Sequence, residues 1–377
     1  MPVPLPSDDE TLLTPPDAAE TAFVARGLVS AVRESEGLRP LQATLIQAMC
    51  EAMTGHTVDP TSLAPIDAAA FAEGLRRRNA IFRTRILHLM LIGMLVLVPL
   101  PEEVCDRVAE FAAELGVDDE MLRVARRYAT GSLGLALIDF ERNGYSATWT
   151  PEDTSHLHAS SALEEAWDLA VHDPALASQW ADLEHCAPGS LGRRVFEFYR
   201  ARGFTYPGLP GSAPPLLAQH DWVHVLADYG TTVESELEVF TFIARANDDP
   251  RAFSLVAMVI SLFETGYLSR AAGLFQYDRG HLSHPGMAAR LADAMRRGAL
   301  TNGDPDFLRM DWFALADRQV DELRRELGVV AKGDAALDAA SVGPWEAGGI
   351  SPFQLAAGTK RAEEEGRVYE SYGAGVT

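Results

Sequence analysis

The sequence predicts an all-α protein made of two helical domains. Apolar residues recur at i, i+3 and i+4 through most of the 377-residue chain, and no segment alternates apolar and polar residues over more than a few positions. The chain has no G-x-G-x-x-G after a strand-like run, no P-loop and no G-x-S-x-G elbow. These observations exclude the common nucleotide-binding and hydrolase α/β folds, and the length allows two domains with a sizeable core.

The first helical domain is predicted to cover residues 20–147. Residues 1–19 are rich in proline and acidic side chains and lack the basic start and apolar run of a signal peptide, so we expect a disordered N-terminus. Helical spacing of apolar residues then predicts helices over Ala22–Arg33, Pro40–Met53 and Asp67–Arg78.

The most apolar run in the chain is Ile86–Leu100. It is shorter than the ~20 residues that a membrane-spanning helix needs, and it contains His88 and ends at Pro99. We predict a buried core helix in which His88 is a satisfied core histidine. The protein is therefore expected to be soluble without detergent and cytoplasmic, with peripheral membrane contact left open.

A pair of predicted helices follows this run, and acidic residues begin the second of them. Pro101–Glu102–Glu103 begins one helix, which ends at Gly116, and Asp118–Asp119–Glu120 begins the next. This pattern resembles the TerB-type helical domain of tellurite-resistance proteins. In that family acidic clusters bind metal, whereas here we interpret the three acidic residues as a helix cap.

The remaining boundaries follow from changes in composition. Residues 148–160, rich in Thr, Ser, His and Pro, are predicted to be a linker, with His156 and His158 in a solvated loop. The second helical domain is assigned to residues 161–330. The rest, 331–377, is rich in Gly, Ala and Glu and is predicted to be a flexible extension with one weak helix over Phe353–Glu364.

The strongest chemical signal is the segment His220–Asp221–Trp222–Val223–His224. On a helix, His224 lies about 40° and Asp221 about 100° from His220, on a polar edge. Trp222 falls on the separate apolar face. Two imidazoles one turn apart can bind one metal ion, as in H-E-x-x-H zinc helices. Here Asp replaces the Glu that serves as base in those metalloproteases, which argues against that class.

Glu236 completes a four-residue set if the chain reverses direction. It lies twelve residues beyond His224, about 18 Å away along a straight helix. Gly230 interrupts the helical pattern, and Thr231 with Glu234 forms a capping box for a new helix. After a turn at Gly230, Glu236 can face back. His220, Asp221, His224 and Glu236 then form a mixed N/O site for zinc, iron or manganese. The alternative is a pair of surface or capping histidines beside ordinary acidic residues.

Three motifs resemble one known family. His-Asp-x-x-His, eleven residues and then Glu is similar to the signature of the fourth protein of coenzyme Q (ubiquinone) biosynthesis, the Coq-four family. Pro188–Gly189–Ser190–Leu191–Gly192–Arg193, followed by Phe196 and Tyr199, is similar to that family's entry helix. Asp311–Trp312–Phe313, continuing to Gly328, resembles its closing segment. The resemblance covers roughly residues 155–330.

Three further features of the second domain carry weaker signals. Arg251–Leu268 is apolar nearly all round, which indicates a buried helix and fits the wall of an apolar pocket. His281 and His284 form an H-x-x-H pair that we interpret as a surface loop, with a lid or supporting role as the alternative. Arg296–Arg297–Gly298 resembles a basic turn of the same family.

Charge and cysteine content limit the partners. The chain has 54 acidic and 32 basic residues, a formal net charge of −22, so nucleic acid is not an expected partner. Cys50, Cys105 and Cys186 form no C-x-x-C pair and no disulfide framework, which fits a reducing cytoplasm. A homo-oligomer is left open.

The Coq-four resemblance implies quinone head-group chemistry. It implies an enzyme that removes the ring carboxyl of a prenylated benzoate and hydroxylates the same carbon, with zinc the favoured metal and iron or manganese as alternatives. Asp221 is then a metal ligand or a proton carrier. Arg193 is a candidate counter-charge for the substrate, or it pairs with an acidic neighbour. The competing classes are a lipid-binding or scaffold protein with a structural zinc, and a metal-dependent hydrolase.

Overall fold

The structure of the protein, a computed structural model, describes residues 12, 14–97, 99–130, 173–213, 215–247, 252–260, 281–303 and 305–374. In these ranges the regular elements are α-helices and short 3-10 turns, and no strand occurs beyond two isolated bridges. The prediction of an all-α fold is confirmed. The predicted linker, with His156 and His158, lies outside the described residues.

The described α-helices, in chain order, are α1 (Ala18–Val32), α2 (Pro40–Thr54), α3 (Ala68–Gly74), α4 (Ala80–Leu95), α5 (Glu102–Leu115), α6 (Met121–Ala129), α7 (Pro174–Asp182), α8 (Leu191–Arg202), α9 (Pro215–Ala227), α10 (Val233–Ala246), α11 (Phe253–Ile260), α12 (Met287–Ala299), α13 (Trp312–Leu315), α14 (Val320–Glu326), α15 (Asp334–Asp338) and α16 (Pro352–Glu364). The chain divides into two compact units. The first contains α1 to α6 and α11, the second contains α7 to α10 and α13 to α16, and α12 contributes residues to both. Of the predicted apolar helix Arg251–Leu268, the described part is α11.

The core of the first unit forms around the ring of Phe71 on α3. This ring stacks on Phe23 of α1 with centroids 5.4 Å apart and packs against Phe111 of α5 at 5.7 Å. It also lies directly over Gly27, where a Cβ atom would come within 2.1 Å of the ring. Gly27 is therefore required by the close packing of α3 on α1, because any side chain there would displace Phe71.

Helix α4 contains the most apolar run of the chain. It begins at Ala80, where the Asn79 side chain accepts a hydrogen bond from the Phe82 amide, and every residue from Ile86 to Leu95 is buried. Nε2 of His88 lies 2.7 Å from a carboxylate oxygen of Asp119, and Nδ1 has no hydrogen-bond partner among the described residues. The prediction of a buried core helix is confirmed, and the histidine in it is partnered at one of its two ring nitrogens. None of the described helices is both long and apolar enough to cross a membrane.

Asp119 also caps the start of α6. Its side chain accepts a hydrogen bond from the amide of Met121, the first residue of α6. One carboxylate thus caps α6 and binds His88 of α4, which is the capping role expected from the sequence.

In the second unit, the 188–193 motif packs on the chain between α13 and α14. The Ser190 side chain caps α8 by accepting from the Arg193 amide. The amides of Leu191 and Gly192 donate to the carbonyl oxygens of Arg318 and Ala316, each at 2.8 Å. A Cβ atom on Gly192 would lie 2.9 Å from the Cβ atom of Ala316, so glycine is needed for this contact.

A cluster of tryptophans joins the three motifs. Trp222 of α9 stacks nearly parallel on Trp312 of α13 at 6.1 Å, and its other neighbours include Trp180 of α7 at 5.4 Å. Trp180 in turn packs on Tyr199 of α8 at 4.8 Å. Aromatic side chains bury large apolar areas, so this cluster holds α8, α9 and α13 together around one core.

The segment after residue 330 differs from the expected flexible extension. Helix α16 matches the weak helix predicted there, but it packs against α8, where a Cβ atom on Gly358 would come within 2.3 Å of the Ala201 carbonyl oxygen. Arg361 Nη1 donates to the Phe204 carbonyl oxygen (2.6 Å), and the Tyr369 hydroxyl donates to that of Ala201 (3.0 Å). These contacts join sites more than 150 residues apart, which local composition does not reveal.

Candidate metal centre

Helices α9 and α10 form a hairpin that carries the His-Asp-x-x-His segment and Glu236. The amide of Tyr229 donates to the carbonyl oxygen of His224, and Asp228 adopts a left-handed conformation with φ 64°. This pattern is a Schellman ending, in which Asp228 occupies the position that glycine usually takes. The predicted turn therefore exists, but it begins at Asp228. Gly230 is needed for a different reason, since its Cβ atom would lie 2.9 Å from the backbone of Gly349.

The start of α10 also differs by one residue from the predicted capping box. Thr232 is the N-cap, and its hydroxyl accepts from the Ser235 amide. The hydroxyl of Thr231 instead donates to Gln354 and accepts from Arg202 Nε. Long-range contacts thus decide the role of Thr231. Glu236 still lies in the first turn of α10 and faces α9, as the turn requires.

The structure brings together the four side chains chosen from the sequence. Oε2 of Glu236 lies 3.3 Å from Nε2 of His220 and 3.3 Å from Nε2 of His224. Nε2 of His220 is 3.4 Å from Oδ1 of Asp221, and His220, Asp221 and His224 each offer an atom within 4.8 Å of the others. All four residues are buried, and none is more than 5% exposed. The three residues within mutual reach of one ion are His220, Asp221 and His224, and Oε2 of Glu236 lies beside both imidazoles of that group.

Each imidazole is held through its other nitrogen. Nδ1 of His220 contacts the carbonyl oxygen of Leu217, and Nδ1 of His224 lies 3.3 Å from that of Tyr229. The ring of His220 stacks on Phe240, and the ring of His224 stacks on Phe198. A carbonyl acceptor at Nδ1 fixes a proton there, so in the neutral imidazole it is Nε2 that presents its lone pair to the cluster, as in histidine ligands of metals.

The cluster contains buried atoms that its own side chains do not satisfy. Nε2 of His224 and Oε2 of Glu236 have no hydrogen-bond partner among the described residues, although they lie 3.3 Å apart. Unpartnered buried polar atoms are costly. A divalent cation would bind both atoms, and its charge would balance the two carboxylates while both imidazoles stay neutral. The donor set therefore fits a metal ion.

Burial and proximity shift the proton affinities of the cluster. Burial lowers the pKa of His220, but the carboxylates of Asp221 and Glu236 outweigh it and raise that pKa to about 9. Burial raises the pKa of Glu236, and the two imidazoles outweigh it, bringing it down to about 2. The pKa of Asp221 is raised, chiefly by burial. Without a metal ion, His220 and Glu236 therefore form an ion pair.

Tyr199 is a member of the site to which the sequence assigned no role. Its hydroxyl donates a hydrogen bond to Oδ2 of Asp221, and burial next to that carboxylate raises its pKa well above the usual value. Tyr199 lies in the 188–199 motif, one turn before Arg202. Its position in that motif was the one signal in the sequence that could have pointed to a role for Tyr199. The residues around Tyr199 do not indicate that it contacts Asp221.

Arg193 lies elsewhere. Its Nε is 3.1 Å from Oε1 of Glu197, and Nη1 donates to the carbonyl oxygen of Glu184 at 2.7 Å. The pairing with an acidic neighbour, left open from the sequence, is the one observed. His281 is also separate from the four clustered side chains, and its Nδ1 lies 2.7 Å from Oε1 of Glu234.

The comparisons with known proteins do not assign a family. No protein-family model matches the chain, and no curated protein is similar to it. Among solved structures, a crystal structure of a candidate ubiquinone biosynthesis protein from Nostoc punctiforme PCC 73102 aligns over 67% of this chain and 99% of its own, with 20% identity and a TM-score of 0.29. A likeness at this TM-score carries no weight for fold or activity. Membership of the Coq-four family, like the TerB resemblance, stays a prediction from the motifs.

Proposed function

We propose that the second unit is a metal-dependent tailoring enzyme that acts on an aromatic carboxylic acid, with or without a prenyl chain. The observation that carries the proposal is that His220, Asp221 and His224 converge at one buried point beside Glu236, where Nε2 of His224 has no hydrogen-bond partner among the described residues. Two imidazoles and two carboxylates suit zinc, and also iron or manganese.

In the proposed reaction, the metal ion and the protein side chains would have different roles. A bound divalent ion would supply a Lewis acid that holds and polarises a substrate carboxylate. His220, His224 and Glu236 would hold it, with both imidazoles oriented by backbone carbonyls. Asp221 has two distinct oxygens. Oδ1 faces His220, and Oδ2 accepts from Tyr199. Tyr199 thus orients Asp221 as a ligand or as the group that carries a proton.

The reaction class rests on the motif resemblance. Loss of a ring carboxyl as carbon dioxide leaves the electron pair of the broken bond on the ring carbon, which then takes up a proton. Asp221 is the residue we assign to that proton transfer. Its position beside His220 supports the assignment, because a proton carrier must lie within hydrogen-bond reach of the reacting group. Hydroxylation of the same carbon would require an added oxidant.

The test uses the full-length, metal-analysed protein. It is incubated with hydroxybenzoates with and without a prenyl chain, and the acids and products are quantified by mass spectrometry. The proposal expects carbon dioxide loss that depends on metal content. Fully metal-loaded protein that leaves every member of the panel unchanged would contradict the enzyme assignment.

The burial of the four side chains favours a second candidate function, in which the metal ion is structural. Four protein ligands with at most 5% exposure can close the coordination shell of an ion, as in structural zinc sites. The protein would then be a binding or scaffold protein, with the ion joining α9 to α10. Removing the ion would unfold the second unit in this case, whereas a catalytic site would lose turnover with a smaller loss of stability.

A further inference from the structure

A cavity of about 290 Å³ lies beyond the C-terminal end of α9, within the second unit. None of the four clustered metal-site residues lines it. Its polar wall is formed by Asp228, Arg297, Arg324 and Lys332. Its apolar wall is formed by residues 329–331 and Leu337. Three cationic side chains thus face one carboxylate, in a chain whose net charge is −22.

Two of these cations hold the end of α9. Arg324 donates from Nε to the carbonyl oxygen of Leu226 (2.8 Å) and from Nη2 to that of Val225 (3.2 Å). Arg297 donates from Nη2 to the carbonyl oxygen of Ala227 (2.7 Å) and from Nε to that of Val330 (2.9 Å). These carbonyls lack partners within the helix, so both arginines are structural caps. Among the described residues, Nη1 of Arg297 is left without a hydrogen-bond partner.

Lys332, in contrast, does not cap a helix through hydrogen bonds of this kind. Its side chain is 3% exposed, and its Nζ finds no hydrogen-bond partner among the described residues. The nearest carboxylate oxygen in an ion pair is Oδ2 of Asp228, 3.9 Å away, and Asp228 is itself 41% exposed. Nζ also lies 5.2 Å from the centre of the Tyr229 ring, over which Arg297 packs at 4.8 Å.

A buried ammonium group without a hydrogen-bond partner lowers the stability of the folded protein. Removing an ammonium from water costs several kcal/mol unless an acceptor replaces the water. Burial lowers the pKa of Lys332, Arg297 adds to that effect, and Asp228 and Glu238 oppose it. Two neighbouring cations of the cavity therefore have donors without a hydrogen-bond partner among the described residues, and the carboxylate of the wall, Asp228, lies 3.9 Å from one of them.

We propose that this cavity binds a small organic carboxylate whose oxygens accept hydrogen bonds from Lys332 Nζ and Arg297 Nη1. The apolar wall fits a ligand with a short aliphatic body better than an inorganic anion, because the ligand would have to cover Val329, Val330 and Leu337. The volume lies at the lower end of the ~300–1,000 Å³ of small-molecule pockets and suits a small ligand. This site is independent of the metal centre.

The chain offers a clean probe, because Lys332 and Lys360 are its two lysines. Lys360 lies on α16 with a side chain that is 76% exposed, so it serves as the internal control. Full-length protein labelled with ¹³C at lysine Cε gives two lysine signals, and the Lys360→Met variant assigns them. Hexanoate is titrated in, and hexan-1-ol and inorganic phosphate are titrated separately.

Hexanoate should shift the Lys332 signal saturably and leave the Lys360 signal in place. Hexan-1-ol and phosphate should each bind at least tenfold more weakly, since each lacks one half of the recognised ligand. By calorimetry, Lys332→Met should weaken hexanoate binding at least tenfold, and Lys360→Met should not change it. An unmoved Lys332 signal, equal shifts of both lysines, or hexanoate binding that survives Lys332→Met would overturn the proposal. Phosphate that binds as tightly as hexanoate would overturn the assignment of an organic ligand.

Discussion

The guanidinium of Arg202 is fully buried and donates a hydrogen bond to the carbonyl oxygen of Gly349, 2.9 Å away and 147 residues further along the chain. It also donates to the carbonyl oxygen of Pro344 and to the hydroxyl of Thr231. Its planar group lies 3.8 Å above the ring of Phe198, which stacks on His224. The segment after residue 330 is thus connected to the candidate metal centre through Arg202 and Phe198.

Replacing Arg202 with Met should destabilise the second unit. The change removes the donor to the Pro344 carbonyl oxygen, whereas the Gly349 carbonyl oxygen keeps the Thr231 amide and the Thr231 hydroxyl keeps Gln354. A buried group left unsatisfied costs about 1–3 kcal/mol. We expect the free energy of unfolding in urea to fall by about 1–3 kcal/mol. The matched control is Arg318→Met, which removes an exposed ion pair with Glu326 and should have little effect. Equal stability of the two variants would contradict the role assigned to Arg202.

The hairpin shows how much of the site could be predicted from the sequence. The 100° helical repeat places His220, Asp221 and His224 on one edge of α9, and a turn is the simplest way to return Glu236 to them. The residues of that turn could not be assigned in the same way. Thr231 does not cap α10 because Arg202 and Gln354 bind its hydroxyl, and both partners lie far away in the chain.

Tyr199 and Arg202 were missed for the same physical reason. Their roles depend on α8 packing against α9 and α16, and no periodicity within α8 encodes those contacts. Composition gave no signal of the long-range contacts of residues 331–374, where Gly, Ala and Glu indicated flexibility. The glycines there include Gly349 and Gly358, which allow close backbone contact with Gly230 and Ala201.

Tyr199→Phe should weaken metal binding with little change in volume. The variant removes the hydrogen bond to Oδ2 of Asp221 and leaves that carboxylate free to rotate. Loss of a group that orients a ligand typically costs about 10–100-fold in metal affinity. The measurement is competition with a chelator of known affinity. Tyr206→Phe is the control, because Tyr206 stacks on Tyr199 at 5.7 Å without a hydrogen bond to Asp221 among those observed. Identical affinities for the two variants would rule out an orienting role for Tyr199.

Metal binding should release a proton near neutral pH. The pKa of His220 is about 9 in the metal-free site, so its imidazole is protonated at pH 7.5, whereas a metal ligand must be neutral. Glu236, with a pKa of about 2, is already ionised and releases none. Calorimetry in buffers of different ionisation enthalpy should show about one proton released per ion, and apparent affinity should rise with pH up to about 9. Binding without proton release would show that His220 is not a ligand.

Asp221→Asn should separate a catalytic site from a structural one. The change removes a charge and a proton carrier at almost constant size, while His220, His224 and Glu236 remain. A catalytic Asp221 predicts that turnover of an aromatic carboxylate falls by ~10²–10⁴-fold, with the fold and much of the metal retained. A structural ligand predicts that metal content, melting temperature and function fall together. No change in all three, measured on one preparation, would remove Asp221 from the site.

The most direct measurement is the metal content of the full-length protein and of two histidine variants, determined by elemental analysis. We predict about one divalent ion per chain in the wild type and its loss in His224→Ala, since His224 is fully buried with Nε2 directed at Glu236. His185→Ala, an exposed histidine in the same unit, should retain the ion. Wild-type protein without stoichiometric metal after zinc, iron and manganese supplementation, or His224→Ala with full occupancy, would contradict the metal centre.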